Sequence, residues 1–587
     1  MKMNARRLYS DLLRDWCDGM QTLQIPENGW SILAGGLVCP ACRRIHGRSA
    51  DAILPMLYMA KTTGEEKYLR SARALFRWSE SMYRGEGAYV NDIDNGWTGI
   101  TVFFSTQLGE SLLWFSDLLT EEERVQWQQR FFRTARYVYE NIDKIGGTIN
   151  YPAAGAYNMA LAGTLSEGEA QKKYFERAME LARLVCGYIL PNGLIFGEGH
   201  PPEVVTAKGH RGIDIGYNLE ETIPALLEYA HLTGDVQVET LAMKALRTHL
   251  KFYLPGGGMD NSFGSRSYKW SWWGSRTSDG IQAAAALVGD KCPEFQKAAY
   301  ENARLLRSCT HDGLLYGGPM FREAGEQPCV HHTFCHAKVL AKALMYEPED
   351  IFTEDDSAEQ GITHYPELGT YLIQKGKWRA TLTDYDYEYV PASHATGGAL
   401  TLLRHDDLGT LCAGTMNRYY MVEPNNMQIL PGGEDACLTP RIEYEEDGTL
   451  YRSISDLTAT LQPLGESGFL AEGILRSENQ EGEETYRIQY DFGEDSLSIT
   501  AEASRDTRLV FPIIAGHGEE IRYLSEKEVV FRKEKGNLIL RTEGEMEPQE
   551  ETTRIFNPVG GFLAHPVRIG MKEKQKIIVQ ISVVFRK

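Results

Sequence analysis

The hydrophobic pattern of this chain changes from helical to extended at about residue 375, and this change limits the folds that it can adopt. Before that point apolar residues recur at the spacing of amphipathic helices. After it, segments such as 378–390 (WRATLTDYDYEYV) alternate apolar and polar residues, and Gly, Asp and Asn separate them. A chain of 587 residues is also too long for one ordinary core. We therefore predict two domains, residues 1–375 and 376–587.

The first domain is predicted to contain about twelve helices that form six antiparallel pairs. Thr120 precedes three glutamates, which is typical of a helix N-terminus because negative side chains are favoured there. The second domain is predicted to be an antiparallel β-sandwich. The predicted helices are 5–23, 49–62, 66–84, 101–118, 120–143, 155–164, 168–188, 217–233, 235–253, 278–288, 293–309 and 329–346.

The charge and the cysteine content limit the partners and the compartment. A formal net charge of −20 argues against nucleic acid and anionic membranes as partners, because phosphate binding needs a basic surface. No apolar run approaches the roughly 20 residues of a membrane-spanning helix, and the first residues lack the apolar segment of a signal peptide. Ten scattered cysteines are typical of a reducing compartment. We therefore expect a cytoplasmic protein.

Residues 39–48 (CPACRRIHGR) combine two cysteines, a histidine and arginines ahead of a predicted helix. A Cys-x-x-Cys pair is half of a tetrahedral zinc site, and residues 329–336 (CVHHTFCH) offer further ligands. Nothing in the sequence shows that the two segments meet. We therefore expect Cys39 and Cys42 to brace a turn without a metal, while His46 and Arg48 reach into a cleft.

Two loops in the first half carry residues that suit a sugar. Trp97 lies between two glycines, and its indole could stack on a pyranose ring or pack on the start of a helix. Asn150 and Asn158 flank another helix start, where an amide could pair with a substrate carboxylate. Asn150 could equally serve as a helix N-cap.

The segment 192–235 is a long glycine-rich loop followed by a helix. Glu198, His200, His210, Asp214 and Tyr217 all precede that helix. A loop of this length usually has a function.

The segment 256–280 alternates cations with tryptophans. Arginine can bind a carboxylate through two hydrogen bonds, so this pattern indicates a site for an anionic sugar. A tryptophan-rich packing cluster is the alternative. The cations are Arg266, Lys269 and Arg276, and the tryptophans are Trp270, Trp272 and Trp273. Further along, His331, His332 and His336 lie within six positions and indicate another part of a site.

Several catalytic motifs are absent from the sequence. It contains no G-x-x-x-x-G-K-[ST], no G-x-S-x-G, no dinucleotide fingerprint between a strand and a helix, and no H-E-x-x-H. Nucleotide-dependent enzymes, serine hydrolases and zinc proteases of this type therefore lose support.

The order of residue types along the first domain resembles the heparinase II/III-like polysaccharide lyases, which include alginate-lyase-like enzymes. Those enzymes use an Asn that neutralises a uronate carboxylate, then a Tyr, then a His well downstream. In this chain Asn150 or Asn158, Tyr217, and His331 or His332 occur in that order.

Residues 192–199 (NGLIFGEG) also look like the D-G-x-x-x-E-G segment of that family, with Asn192 in place of Asp. The loop that leads to Tyr217 is longer than in the family, and the segments 39–48 and 270–280 match none of its signatures. The chain is thus similar to a divergent branch, and to lyases that act on rhamnose–glucuronate linkages in plant gums. The resemblance implies an α+β multidomain protein, with an N-terminal (α/α)6 toroid followed by an antiparallel β-sandwich.

The resemblance implies β-elimination next to a uronic acid. Loss of the hydrogen α to the carboxyl group gives an enolate-like intermediate, which must be stabilised and which expels the β oxygen. Arg211 or a histidine is expected to lower the pKa of the catalytic phenol. The predicted catalytic residues are Asn150 or Asn158 with Arg276 at the carboxylate, Tyr217 or His210 as base, and Tyr217 or His332 as acid. The predicted substrate-binding residues are His46, Arg48, Trp97, Glu198, His200, Arg266, Trp270, Trp272 and His331.

Two other functions stay open at this point. A glycoside hydrolase such as a glucuronidase needs two carboxylates that flank the glycosidic bond. The candidates are Glu198, Asp214, Glu220 and Asp279, with Asp92 or Asp94. A non-catalytic carbohydrate-binding protein is the other alternative. In each case the expected partner is an anionic oligosaccharide, no cofactor or metal is expected, and the sequence allows a homo-oligomer.

Overall fold

The structure is a computed structural model that describes residues 2–27, 31–92, 94–143, 147–348, 351–352, 360–423 and 436–585. Every predicted helix has a counterpart within these residues. The helices are α1 Ala5–Thr22, α2 Ile53–Thr63, α3 Glu66–Ser79, α4 Thr101–Phe115, α5 Glu121–Asn141, α6 Asn150–Thr164, α7 Gly168–Cys186, α8 Ile223–Thr233, α9 Val236–His249, α10 Gln282–Val288, α11 Pro293–Ser308 and α12 Val330–Met345.

The helices form two concentric rings. Each even-numbered helix contacts the next even-numbered one, and α12 contacts α2, which closes the inner ring. The burial pattern follows from this arrangement: α6 is buried almost all round, whereas α7 buries only Ala178, Leu181, Ala182 and Val185. α12 also packs on the outer helix α1, so the last helix of the domain pairs with the first. The predicted helical toroid is confirmed.

Local sequence signals account for several helix ends. Thr120 accepts a hydrogen bond from the Glu123 amide at 3.2 Å, and the Glu123 carboxylate accepts one from the Thr120 amide at 2.9 Å. Gly234 ends α8 in the left-handed region with φ 71°, and Asp235 then caps α9. Among the described residues no helix is both long and apolar enough to cross a membrane.

The second domain consists of antiparallel sheets, which confirms the predicted fold class. A core shared by the sheets includes Tyr371, Ile442 and Phe469. The first sheet contains Gly361–Tyr365, Thr370–Lys375, Trp378–Thr383, Ala399–His405 and Gly409–Ala413. The second contains Thr449–Arg452, Arg441–Glu446, Thr507–Ile514, Phe562–Met571 and Ile555–Asn557. The third contains Thr460–Leu464, Gly468–Ile474, Thr485–Phe492, Ser496–Ala503, Ile577–Phe585, Gly536–Thr542, Glu528–Arg532 and Ile521–Ser525.

Short strand pairs lie outside these sheets. Lys2–Met3 pairs with Ile351–Phe352, Trp270–Ser271 with Gly274–Ser275, and Thr310–His311 with Leu314–Leu315.

The domains meet along the chain between α12 and the first sheet. The last helix ends at Met345, and the first strand of the first sheet begins at Gly361. The division between the domains at residue 375 stays a prediction. In space, the Trp272 amide donates to the Gly560 carbonyl at 3.1 Å, and the Gly560 amide donates to the Trp270 carbonyl at 3.0 Å. Backbone hydrogen bonds of this kind fix the second domain against the loops at one end of the toroid.

Candidate active site

Tyr217 lies at the entrance of α8, in an irregular stretch of helix. The Asp214 side chain caps the turn Ile215–Tyr217 by accepting from the Tyr217 amide at 2.9 Å. A π-helical turn, Asn218–Thr222, then leads into α8, and such turns are frequent at functional sites. The phenol is buried, hydrogen-bonds the Thr277 hydroxyl, and accepts from Lys269 Nζ at 3.3 Å.

Arg266 connects Tyr217 to the acidic side chains of the site. Its guanidinium carbon lies 3.8 Å from the centre of the Tyr217 ring, close enough for a cation–π interaction. Its Nη1 donates to Glu198 Oε2 at 3.2 Å, and its amide donates to Asp214 Oδ2 at 2.9 Å. The predicted assignment of Arg266 to the site is therefore compatible with the geometry.

Glu198 extends this chain of contacts to Asn150. Its Oε1 accepts from the Asn150 amide at 3.2 Å, and Asn150 is the first residue of α6. Burial raises the pKa of Glu198 to about 7, although Arg266 opposes the shift and Asp214 adds to it. Asn150, Glu198, Arg266 and Tyr217 thus form one continuous cluster.

Asn158 lies elsewhere. It is eight residues further along α6, which corresponds to about 12 Å along the helix axis. Its amide is fully buried and donates to Thr106 Oγ1 at 3.3 Å. Of the two asparagines, the structure brings only Asn150 into the cluster with Tyr217.

The protonation of Tyr217 follows from its surroundings. Burial raises the pKa of the phenol well above its usual value, and the Arg266 cation only partly offsets this. The prediction named Arg211 or a histidine as the neighbouring cation. The structure corrects this, because Arg211 lies over the Phe196 ring at 4.5 Å while Arg266 and Lys269 approach the phenol. At neutral pH Tyr217 therefore carries its proton.

His331 is a buried imidazole next to the same cations. Its ring centre lies 5.5 Å from that of His46 and 4.8 Å from that of Phe334. Burial, together with Arg48, His46 and other nearby cations, lowers the pKa of His331 well below its usual value. Neither ring nitrogen has a hydrogen-bond partner among the described residues. His331 is therefore a neutral imidazole that can accept a proton.

His332 and Arg276 are the next predicted catalytic residues. The His332 ring packs edge-on against Trp273 with 5.6 Å between centres, and Arg276 Nη2 donates to the Tyr268 carbonyl at 2.9 Å. Both are fully buried, and Arg276 contributes to the lowered pKa of His332. The contacts described for them do not include Asn150 or Tyr217, and their catalytic roles stay predictions.

The two histidines of the long loop also separate from Tyr217. His210 Nδ1 lies 2.7 Å from Asp386 Oδ1 of the second domain, and the His210 ring lies against Tyr385. This pairing ties the loop to the second domain, so the predicted role of His210 as a catalytic base is corrected. His200 is exposed, and its ring lies 5.3 Å from that of Tyr389 at the edge of the site.

Arg48 belongs to a buried ion cluster. It donates to Asp51 at 2.8 Å, to Asp279 at 2.6 Å and to the Thr277 carbonyl at 2.9 Å. Lys338 pairs with the same two carboxylates at 3.1 and 2.6 Å. Because Thr277 bonds Tyr217, Arg48 positions the site from below, which corrects its predicted role as a residue that contacts the sugar.

The predicted tryptophans divide into two classes. Trp97 is 38% exposed, and its Nε1 donates to the Tyr151 hydroxyl at 3.1 Å. Trp270 and Trp272 are 1% and 6% exposed and pack in a core between the domains with Phe562. A buried indole cannot stack on a sugar, so the prediction for Trp270 and Trp272 was wrong.

The structure adds Glu423, Tyr151, Thr277 and Tyr389 to the cations that the sequence indicated. Lys269 Nζ lies 2.8 Å from Glu423 Oε1, so the second domain supplies one wall of the site. Tyr151, Thr277 and Tyr389 complete the surroundings of the Tyr217–Arg266 pair. Tyr151 directly follows Asn150, so it could have been found, whereas nothing near Glu423 in the sequence points to Lys269.

Three of the carboxylates considered for a hydrolase are held by structural contacts. Asp214 caps a helical turn, Asp279 pairs with Arg48 and Lys338, and Glu220 accepts from the Ser275 amide at 2.8 Å. A groove of about 1080 Å³ lies apart from this site, between α9, α11 and the first sheet. Its lining does not include the residues around Tyr217.

Comparisons with known proteins identify the family of this chain. The family model described as the ulvan lyase N-terminal domain matches residues 13–360, and the ulvan lyase C-terminal domain matches residues 362–584. A curated relative, the broad-specificity ulvan lyase of Formosa agariphila, is 36% identical over 99% of this chain and 94% of its own length.

Solved structures share the fold at low sequence identity. Heparinase III matches with a TM-score of 0.57 and 13% identity over 91% of this chain and 76% of its own. Chondroitin AC lyase of Streptomyces coelicolor A3 matches with a TM-score of 0.54 and 11% identity, over 98% of this chain and 79% of its own. The resemblance to heparinase-like lyases is confirmed, and the protein is a polysaccharide lyase that belongs to the ulvan lyase family.

Proposed function

We propose that this lyase cleaves ulvan or oligosaccharides derived from it, at the linkage next to a uronic acid. The relative from Formosa agariphila is a broad-specificity ulvan lyase, which supports ulvan as the substrate. The observation that carries the mechanism is the position of the buried Tyr217 phenol between Arg266 and Lys269.

The cations of the site fit the charge that elimination develops. Removal of the hydrogen α to the carboxyl group puts a second negative charge on the carboxylate oxygens. Arg266 and Lys269 are buried cations next to the phenol, and the backbone amide of Asn150 donates to Glu198, the partner of Arg266. We assign the substrate carboxylate to Asn150 and Arg266, in place of the predicted pair of Asn150 and Arg276.

His331 and Tyr217 suit opposite proton transfers. The neutral imidazole of His331 takes the proton from the carbon α to the carboxyl group, and the electron pair forms a carbon–carbon double bond. The bond from the β carbon to the glycosidic oxygen breaks, and Tyr217 gives its proton to that oxygen. Lys269, 3.3 Å from the phenol oxygen, then stabilises the phenolate until the proton returns.

Ultraviolet absorbance of the unsaturated product tests the proposal directly. With ulvan as substrate, the protein is expected to generate a conjugated double bond, and Tyr217→Phe is expected to reduce the rate by about 10²–10⁴-fold. Tyr137→Phe is the matched control, because Tyr137 also hydrogen-bonds a threonine, Thr98, at 3.0 Å but lies on the outer helix α5. Release of reducing sugar without absorbance would contradict elimination.

The expected cytoplasmic location and self-association remain proposals of their own. A cytoplasmic lyase would act on imported oligosaccharides, which favours removal of units from chain ends. Fractionation of the native cells locates the protein, and the size distribution of early products distinguishes chain-end cleavage from internal cleavage. Fragments of intermediate length early in the reaction would contradict cleavage from chain ends.

A further inference from the structure

Thiols from two distant parts of the chain meet at one imidazole beside the candidate active site. Cys39 Sγ and Cys329 Sγ lie 3.6 Å apart. His46 Nε2 lies 3.4 Å from Cys42 Sγ and 3.9 Å from Cys329 Sγ. The ligand atoms of Cys39, His46 and Cys329 all lie within 4.8 Å of one another. The Cys-x-x-Cys segment of the sequence therefore does meet further ligands.

These separations fit the edges of a zinc tetrahedron. With Zn–S near 2.3 Å and Zn–N near 2.0–2.1 Å, tetrahedral angles place two sulfurs about 3.8 Å apart and a sulfur and a nitrogen about 3.5 Å apart. The observed distances of 3.6, 3.4 and 3.9 Å lie close to these values. Cys42 lies outside the group of three mutually close ligand atoms, but its Sγ is 3.4 Å from His46 Nε2, which makes it the candidate for the fourth position.

The backbone around Cys39 forms a tight turn that includes both cysteines of the Cys-x-x-Cys segment. The Arg43 amide donates to the Cys39 carbonyl at 2.9 Å, and the Cys39 amide donates to the Arg44 carbonyl at 2.8 Å. Arg43 has φ 57°, in the left-handed region that is unfavourable for a residue with a side chain. This unfavourable conformation occurs in the turn that brings Cys39 and Cys42 close together.

A buried carboxylate orients the imidazole. Asp92 Oδ2 lies 3.6 Å from His46 Nδ1, on the side of the ring opposite the thiols. Asp92 is fully buried, and neither of its oxygens has a hydrogen-bond partner among the described residues. A carboxylate behind a histidine is the usual arrangement around a metal, because it fixes the ring and makes the other nitrogen a better ligand.

We propose that Cys39, Cys42, His46 and Cys329 bind one zinc ion. A set of three thiolates and one imidazole with tetrahedral spacing selects zinc, and four protein ligands make the site structural. The ion joins the loop before α2 to the residue that precedes α12. His46 then serves the metal and does not contact the sugar.

The site adjoins the catalytic candidates without containing them. His331 lies two residues after Cys329, and its ring packs against His46. Zinc binding is independent of the proposed reaction, since none of the four ligands transfers a proton in it. The zinc proposal and the proposed reaction can therefore be contradicted independently. Tyr217→Phe is expected to lose activity and keep its zinc.

Metal analysis of the untagged full-length protein, purified with a thiol reductant and without chelators, tests the proposal. About one zinc per chain is expected. Cys39→Ser and Cys329→Ser are each expected to retain about a tenth or less of that content. Cys186→Ser is the matched control, because Cys186 is a half-buried free thiol at the end of α7. Full zinc content in Cys329→Ser would overturn the proposed ligand set.

A second measurement needs no variant and so does not depend on the folding of the cysteine mutants. Cobalt(II) added to the metal-depleted wild-type protein should give the visible bands of a tetrahedral ion and the near-ultraviolet charge transfer of thiolate ligands. A wild-type protein that holds neither zinc nor cobalt overturns the proposal. So does a mass lower by two hydrogens with no metal, which would identify a Cys39–Cys329 or Cys39–Cys42 disulfide.

Discussion

Lys269 and Glu423 form an ion pair across the boundary between the domains, with 2.8 Å between Nζ and Oε1. The same Nζ donates to the Tyr217 hydroxyl at 3.3 Å. The second domain therefore contributes a carboxylate to the charges near the phenol, although the direct contacts of Tyr217 named above all come from the first domain.

Replacement of Lys269 tests whether this cation stabilises the phenolate. Lys269→Met keeps most of the side-chain volume and removes the charge, so the phenolate formed by proton donation becomes less stable. We expect kcat to fall by roughly 10²–10³-fold, with a smaller change in KM, as for other preorganised donors. Steady-state kinetics on ulvan measures both values. A variant with an unchanged kcat would remove Lys269 from the mechanism.

Replacement of Glu423 tests the same pair from the other side. The Glu423 carboxylate raises the pKa of Tyr217, so Glu423→Gln should lower that pKa while leaving the Lys269 cation in place. The alkaline limb of the kcat profile should therefore move to lower pH if it reports loss of the Tyr217 proton. A shift to higher pH, or no shift with normal activity, would contradict this assignment.

Two tryptophans provide a contrast between binding and packing. Trp97→Ala should raise KM by about tenfold, equivalent to about 1.4 kcal/mol, because an exposed platform is lost. It should leave the melting temperature nearly unchanged. Trp270→Ala should instead destabilise the protein by about 3–5 kcal/mol, because it empties a buried site between the domains. Thermal unfolding and kinetics of both variants separate the two effects, and the opposite pattern would reverse the assignment.

The helices were predictable because their signals are local. Periodicity places each helix, and Thr120, Gly234 and Asp235 mark ends through contacts within a few residues. The inner and outer rings follow from whether a helix is apolar all round or on one side only. The same locality explains why Asn150 and Tyr217, each at the start of a helix, could be named as candidates.

The pairings that complete the site were not predictable, since they join residues far apart in sequence. Lys269 pairs with Glu423, and Cys39 meets Cys329, through the closure of the rings and the docking of the second domain. The wrong prediction for Trp270 has a different cause, since its sequence context was known but its burial was not. A tryptophan between cations has the same local pattern whether it faces a sugar or fills a core, and only burial distinguishes the two.

Asp260 links stability to pH at the domain boundary. It is buried, its Oδ2 accepts from the Thr381 hydroxyl at 2.5 Å, and burial raises its pKa from the usual 3.8 to about 7. The folded protein therefore binds this proton more tightly than the unfolded chain does. The contribution of Asp260 to stability is fully present below pH 3.8 and is lost as the pH rises through about 7.

Asp260→Asn imitates the protonated side chain at every pH and removes this dependence. We expect the variant to melt higher than the wild type, by a margin that is smaller near pH 5 than near pH 8.5. Other buried carboxyls, including Glu198 with a pKa of about 7, destabilise both proteins as the pH rises, so the difference between them isolates Asp260. Thermal unfolding at both pH values measures it, and an equal difference at both would show that Asp260 does not titrate in this range.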